Sequence, residues 1–210
     1  MTYTIQRPYL KNHKLHDFHQ SLKKEKKIIE NGEHLAVIHQ LNIEFEKLGF
    51  RIDFESFEDN YGNDSVSQFK NKAGVDATFN LISIKTGKIV KEGFTLDYKF
   101  RDPNATWDDF LAETVSQDYI RFNSKKPIVK GWAICNHKIN DAILYILPFH
   151  KKAALVRRDE LKNGFDKNHF PLNEHRRKIA KNKSYDTISY TIDWNLLTTV
   201  CPRTIIFNYE

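Results

Sequence analysis

The chain has 210 residues, with 33 Lys and Arg against 27 Asp and Glu and a formal net charge of +6. At 40% hydrophobic and 13% aromatic residues it can fill a core, which excludes a disordered or low-complexity chain. Its 29% charged residues, without a long apolar run, exclude a membrane span, and Cys135 and Cys201 alone cannot build a disulfide framework or a four-cysteine zinc site; a single domain over residues 1–210 in the cytoplasm is expected.

A lysine-rich helix is expected over His16–Glu30. The clearest helical period follows: Leu35, Ile38, Leu41, Phe45 and Leu48 recur at three- and four-residue spacing between Gly32 and the breaker Gly49. Phe50, Ile52 and Phe54 then alternate with Arg51, Asp53 and Glu55, the period of a half-buried strand. Asn60–Ser65 reads as a turn and Val75–Ile84 as a strand bounded by Thr86-Gly87. After Gly93, Phe94, Leu96, Tyr98 and Phe100 alternate with Thr95, Asp97, Lys99 and Arg101, so one face of this strand is apolar and the other carries Asp97 and Lys99. Trp107–Phe122 reads as a helix, with a short strand over Phe110–Val115 as the alternative. Gly131–Cys135 and Ala142–Leu147 read as a hairpin closed by Pro148. A short helix near Arg158–Lys162, a basic loop over His169–Lys183 and strands at Thr187–Ile192 and Thr204–Phe207 complete the chain. There is no internal repeat, and no linker marks a second domain.

The charge is unevenly spread. Asn42–Val66 carries seven acids against two bases, whereas Phe149–Lys183 carries eleven bases against four acids. Cations at that density are the footprint of a phosphate-backbone binder, with a solvated basic surface as the alternative. Lys151, Lys152, Arg157, Arg158, Arg176, Arg177 and Lys178 are the candidate nucleic-acid contacts.

Helix, strand, acid-bearing hairpin, helix and further strands succeed one another, with Val75-Asp76 on one hairpin strand and Asp97-Tyr98-Lys99 on the next. In this the chain resembles the PD-(D/E)xK nuclease superfamily over about Gly32–Pro148, although Val75 stands where the nominal proline would be. The resemblance implies an α/β, restriction-endonuclease-like core, a mixed central β-sheet flanked by helices, over residues 32–148, with a basic C-terminal extension over 149–210. It also implies that Asp76 and Asp97 hold Mg²⁺, or Mn²⁺ in its place, and that Lys99 orients the attacking water. Glu33, at the start of the first amphipathic helix, matches the helix glutamate that reaches the metal in archaeal Holliday-junction resolvases, which implies a further catalytic acid, as for Glu113, with an ordinary first-turn acid as the alternative. Glu113 and Gln117, at i and i+4, are similar to a glutamine-bearing helix behind the site in many superfamily members.

The chemistry suits these residue types. Two carboxylates can hold a hard divalent cation, and an ammonium beside them can orient water and stabilise a phosphate whose charge grows in the transition state. The same acid-x-lysine spacing at Glu25-Lys26-Lys27 and Glu160-Leu161-Lys162 lacks a preceding hairpin acid. The expected activity is a Mg²⁺-dependent DNA endonuclease acting on double-stranded DNA as a homodimer, of the type II restriction kind. A Holliday-junction or structure-specific nuclease is the alternative, RNA remains open as a substrate, and a non-catalytic nucleic-acid-binding protein is the alternative of another class. His13, His16 and His19 have no partners at zinc spacing, Cys135-Asn136-His137 lacks a second histidine, and phosphate-binding glycine loops and a G-x-S-x-G elbow are absent.

Overall fold

The switch in hydrophobic period after Gly49 corresponds to a change of element: helix α1 (Glu33–Lys47) is followed by strand β1 (Phe50–Asp59). Gly49 has a φ of 84°, the left-handed conformation in which a helix commonly ends. The structure is a computed structural model that describes residues 28–29, 31–60, 64–123, 125–136 and 138–210. The chain continues through α2 (Ser65–Lys72), β2 (Ala77–Ser83), β3 (Ile89–Phe100), β4 (Phe110–Asp118), β5 (Val129–Lys130), β6 (Ala142–Leu147) and β7 (Lys152–Arg157). It ends with α3 (Arg158–Asp166), β8 (Arg177–Lys181), β9 (Asp186–Ile192), α4 (Trp194–Val200) and β10 (Ile205–Asn208).

The architecture is α/β with a mixed central sheet in the order β1-β2-β3-β6-β7-β10. β3 and β6 run parallel, and every other neighbouring pair in this sheet is antiparallel. All six residues of β6 are buried, as the continuous apolar run Ala-Ile-Leu-Tyr-Ile-Leu of a strand covered on both faces requires. On one face α1 packs Val37, Ile38, Leu41 and Phe45 against Phe79, Leu96 and Leu144, while Leu35 and Leu48 of the sequence stripe stay exposed. On the other face Ile143, Tyr145 and Leu147 meet Phe110, Ile192, Leu161 and Leu197. Phe110 and Ile192 belong to a second, antiparallel sheet in the order β5-β4-β9-β8.

Several elements differ from the sequence reading. Trp107–Phe122 is not an α-helix: β4 occupies its centre, because Phe110 and Ala112 alternate into the core and Thr114-Val115 is β-branched, and β9 pairs with it, with a 3₁₀ turn left at Ile120–Phe122. Gly131–Cys135 is a tight turn instead of a hairpin strand, with the Cys135 amide donating to Gly131 O at 3.0 Å. β6 instead lies between β3 and β7, and β7 is an apolar run set inside a basic segment. The expected basic loop contains β8, and α2 and α4 had no expected counterpart. Residues 149–210 supply two strands of the central sheet and two of the second, so both sheets draw on both ends of the chain. The helix expected over His16–Glu30 lies outside the described residues except at Ile28 and Ile29. No helix among the described residues is long and apolar enough to cross a membrane.

Candidate active site

Strand alternation divides β3 between the two cores. Leu96 and Tyr98 pack under α1, whereas Asp97 and Lys99 lie opposite Ile143 and Tyr145 of β6, on the face toward the second sheet. Asp76 immediately precedes β2, whose first residue, Ala77, pairs with Leu96, so one further step of register brings Asp76 beside Asp97. The main chain fixes that step: the Asp76 amide donates to Leu96 O at 2.7 Å, and the Tyr98 amide donates to Asp76 Oδ2 at 2.6 Å. Lys99 Nζ donates to Asp97 Oδ1 at 2.5 Å and to Tyr98 O at 3.0 Å.

Asp76 and Asp97 are 3% and 1% exposed. Burial pushes the Asp76 carboxyl up to about 7; Lys99 opposes the shift, and the neighbouring Asp97 adds to it by like charge and a carboxyl–carboxyl hydrogen bond. That bond requires one of the two acids to be protonated. With both ionised, Asp97 Oδ2 is buried without a hydrogen-bond partner among the described residues. The Lys99 side chain is 25% exposed, against 2% for that of Asp97.

Glu113 reaches this group from β4. Burial raises its carboxyl, while the Ser116 hydroxyl and then Lys99 lower it, and Asp97 pushes it upward. It shares a strand with Gln117, not a helix face, and register shifts interrupt the ladder between them. The Tyr119 hydroxyl donates to Gln117 Oε1 at 2.5 Å. The Gly131–Cys135 turn closes over Glu113: the Ala133 amide donates to Glu113 O at 3.0 Å, and a Cβ on Gly131 would lie 2.3 Å from that oxygen, so the approach requires glycine. The same turn places the Trp132 ring 5.9 Å from Lys99 Nζ.

Glu33 is elsewhere. It accepts from Lys151 Nζ and from the Tyr209 hydroxyl, both at 2.9 Å, and Tyr209 belongs to the core beneath α1, on the face of the central sheet opposite Asp97 and Lys99. The expected nucleic-acid contacts are largely engaged with the protein itself. Lys151 pairs with Glu33, Lys152 with Asp108, Arg157 with Asp159, Arg176 with Asp193 and Arg177 with Glu174. Arg158 is 6% exposed and donates to Trp132 O at 2.7 Å and Cys135 O at 2.8 Å, clamping the turn that carries Trp132. Of that set, Lys178 lies exposed on the edge strand β8. Trp132, beside Gly131 in the sequence, and Arg158, expected among the nucleic-acid contacts, are thus supports of the site; nothing local in the sequence links Arg158 to it.

Among the described residues no cluster of three or more His, Cys, Asp or Glu side chains gathers around one point. A buried pair of carboxylates with one oxygen unpartnered nevertheless suits a hard cation that keeps several of its waters. Comparison with protein-family models, with curated proteins and with solved structures finds no match, so the chemistry of the site is read from its own geometry.

Proposed function

We propose that the chain is a Mg²⁺-dependent DNA endonuclease with a restriction-endonuclease-like core. The observation that carries the reading is the placement of Asp76 and Asp97 side by side on an antiparallel hairpin, with Lys99 on the same face and β3 parallel to β6. Asp76 and Asp97 are the metal ligands, and Mn²⁺ serves in place of Mg²⁺. When bound, the cation supplies charge neutralisation at the scissile phosphate and lowers the pKa of a water.

The remaining work falls to the chain's own groups. The Tyr98 amide holds Asp76 in place through the main chain, leaving little freedom for its carboxylate to turn away. Lys99 balances Asp97 before substrate arrives; its partly exposed ammonium then orients the attacking water and stabilises charge on the phosphate. Trp132, held by Arg158, limits the positions open to that ammonium. Glu113 supplies a further acid beside Lys99, not a metal ligand. Two equivalent sites in a homodimer would cut both strands of double-stranded DNA, the type II restriction arrangement.

A second reading has its own support: the near-complete burial of both acids also suits a nucleic-acid-binding protein whose charge cluster only shapes the fold. Incubating supercoiled plasmid, a four-way junction and RNA with and without Mg²⁺ separates the readings. Metal-dependent discrete fragments from plasmid support the restriction-type enzyme, and junction-selective cutting supports a structure-specific nuclease. Binding that weakens with salt, with every substrate intact, supports the second reading.

A further inference from the structure

The cations of residues 149–177 are mostly matched by carboxylates, so the charge available to a polyanion must be sought elsewhere. It gathers at one end of the second sheet. β4 and β9 pair as far as Asp118 opposite Asp186, which brings the residues after β4 together with the turn between β8 and β9. Two stretches far apart in sequence thus meet: Tyr119–Asn123 with Lys125 and Lys126, and Lys181–Tyr185.

Both acids at this end are turned inward. Asp186 is buried and pairs with Arg121 Nη2 at 2.7 Å, and buried Asp118 accepts from the Ile120 amide at 3.0 Å. Lys125, Lys181 and Lys183 have no carboxylate partner among the described residues, and Lys126 Nζ sits 5.5 Å from the Tyr119 ring. Tyr119 and Tyr185 lie edge to face with centroids 6.2 Å apart, beside Ile120, which is 62% exposed. Lysines around half-buried rings and an exposed apolar side chain suit a phosphate backbone together with its sugars and bases, a combination that water alone does not require.

The position is also informative. β4 carries Glu113 at the candidate site and Asp118 at this end, five residues on. At roughly 3.3 Å per residue that is about 16 Å, close to five base-pair steps of a duplex.

We propose that this end of the second sheet is a DNA-docking tip, in which Lys125, Lys181 and Lys183 neutralise phosphates and Tyr119 and Ile120 contact sugars and bases; its orientation relative to cleavage rests on the endonuclease reading. The tip sets where along the duplex the strand is presented to Lys99.

The test is fluorescence-anisotropy titration of a labelled DNA duplex in EDTA, where cleavage plays no part, across a salt series. Lys125→Glu/Lys183→Glu is compared with Lys85→Glu/Lys88→Glu in the exposed turn between β2 and β3, which makes the same change in net charge. Lys125→Gln/Lys183→Gln serves as the milder variant, with circular dichroism to confirm folding. The tip pair is expected to lose roughly tenfold in affinity and to reduce the slope of log K against log salt by about 2, with the control within about twofold of wild type. Equal loss in both pairs, no loss in the tip pair, or a wild-type protein without DNA affinity would overturn the proposal. Tip-dependent binding by a protein that never cuts retains the tip and removes the endonuclease; Mg²⁺-dependent cutting with an unaffected tip pair does the reverse.

Discussion

The Asp76 carboxylate accepts the main-chain amide of Tyr98 at 2.6 Å, so the backbone between Asp97 and Lys99 holds the acid of the neighbouring strand. A candidate site anchored in this way depends on strand register more than on side-chain packing. Register is set by the apolar partners Ala77 and Leu96 in the core beneath α1.

Close placement of two buried acids makes stability depend on pH. A carboxyl raised to about 7 in the folded chain, against about 3.9 when unfolded, binds a proton between those values only in the folded state. Its favourable contribution is therefore complete below about pH 4 and is lost as pH rises through about 7. Thermal melts in EDTA should fall from pH 5.5 to pH 8, and Asp76→Asn should flatten that decline. Mg²⁺, by replacing the proton, should raise the melting temperature more at pH 8 than at pH 5.5.

Removing Lys99 separates stability from chemistry. In Lys99→Ala the Asp97 side chain, 2% exposed, loses its cation, a change that typically costs about 3–5 kcal/mol. Asp97→Asn/Lys99→Ala should regain much of that loss, as chemical denaturation would show. Mg²⁺ should restore the stability of Lys99→Ala while cleavage stays roughly 10²–10⁴-fold below wild type, the usual worth of a group that positions or transfers a proton.

Arg158 provides a test of whether buried basic residues grip DNA. Arg158→Ala leaves Trp132 O and Cys135 O without their charged donor and should cost about 2–3 kcal/mol in denaturant unfolding. The salt dependence of DNA binding should remain that of wild type; a reduced slope would restore Arg158 to the nucleic-acid contacts. Gly131→Ala, with its Cβ against Glu113 O, should destabilise by about 1–3 kcal/mol.

Glu33 distinguishes this chain from the resolvase-like arrangement that its position suggested. Glu33→Gln weakens its contacts with Lys151 and Tyr209 and should lower stability by about 1 kcal/mol. Metal-dependent cleavage should stay within about twofold of wild type; a loss as deep as that of Asp97→Asn would place Glu33 in the site after all.

The candidate site was legible where it depended on local periodicity. Alternation alone puts Asp97 and Lys99 on one face, and hairpin order brings Asp76 to them. Glu113 was found as well, but from a helix that does not exist: the competition between helical and strand patterns over Phe110–Val115 was decided by β9, more than seventy residues later in the chain. The same long-range pairing hid the tip, since Tyr119 and Tyr185 become neighbours only when β4 and β9 pair. Basic composition misled for a related reason: a cation count ignores where carboxylates fold, and Glu33, Asp108 and Asp193 each come to a lysine or arginine distant in sequence.

In the proposed reaction Asp76 and Asp97 bind the cation that hydrolysis of DNA requires, with Lys99 beside them. Plasmid cleavage at a fixed Mg²⁺ concentration by wild type and by Asp97→Asn, both confirmed folded by their melting curves, tests it most directly. Wild type is expected to linearise the plasmid with Mg²⁺ and not with EDTA, and Asp97→Asn to leave it intact while binding DNA as tightly. Equal cutting by the two proteins, or no cutting by wild type with either Mg²⁺ or Mn²⁺, would contradict it.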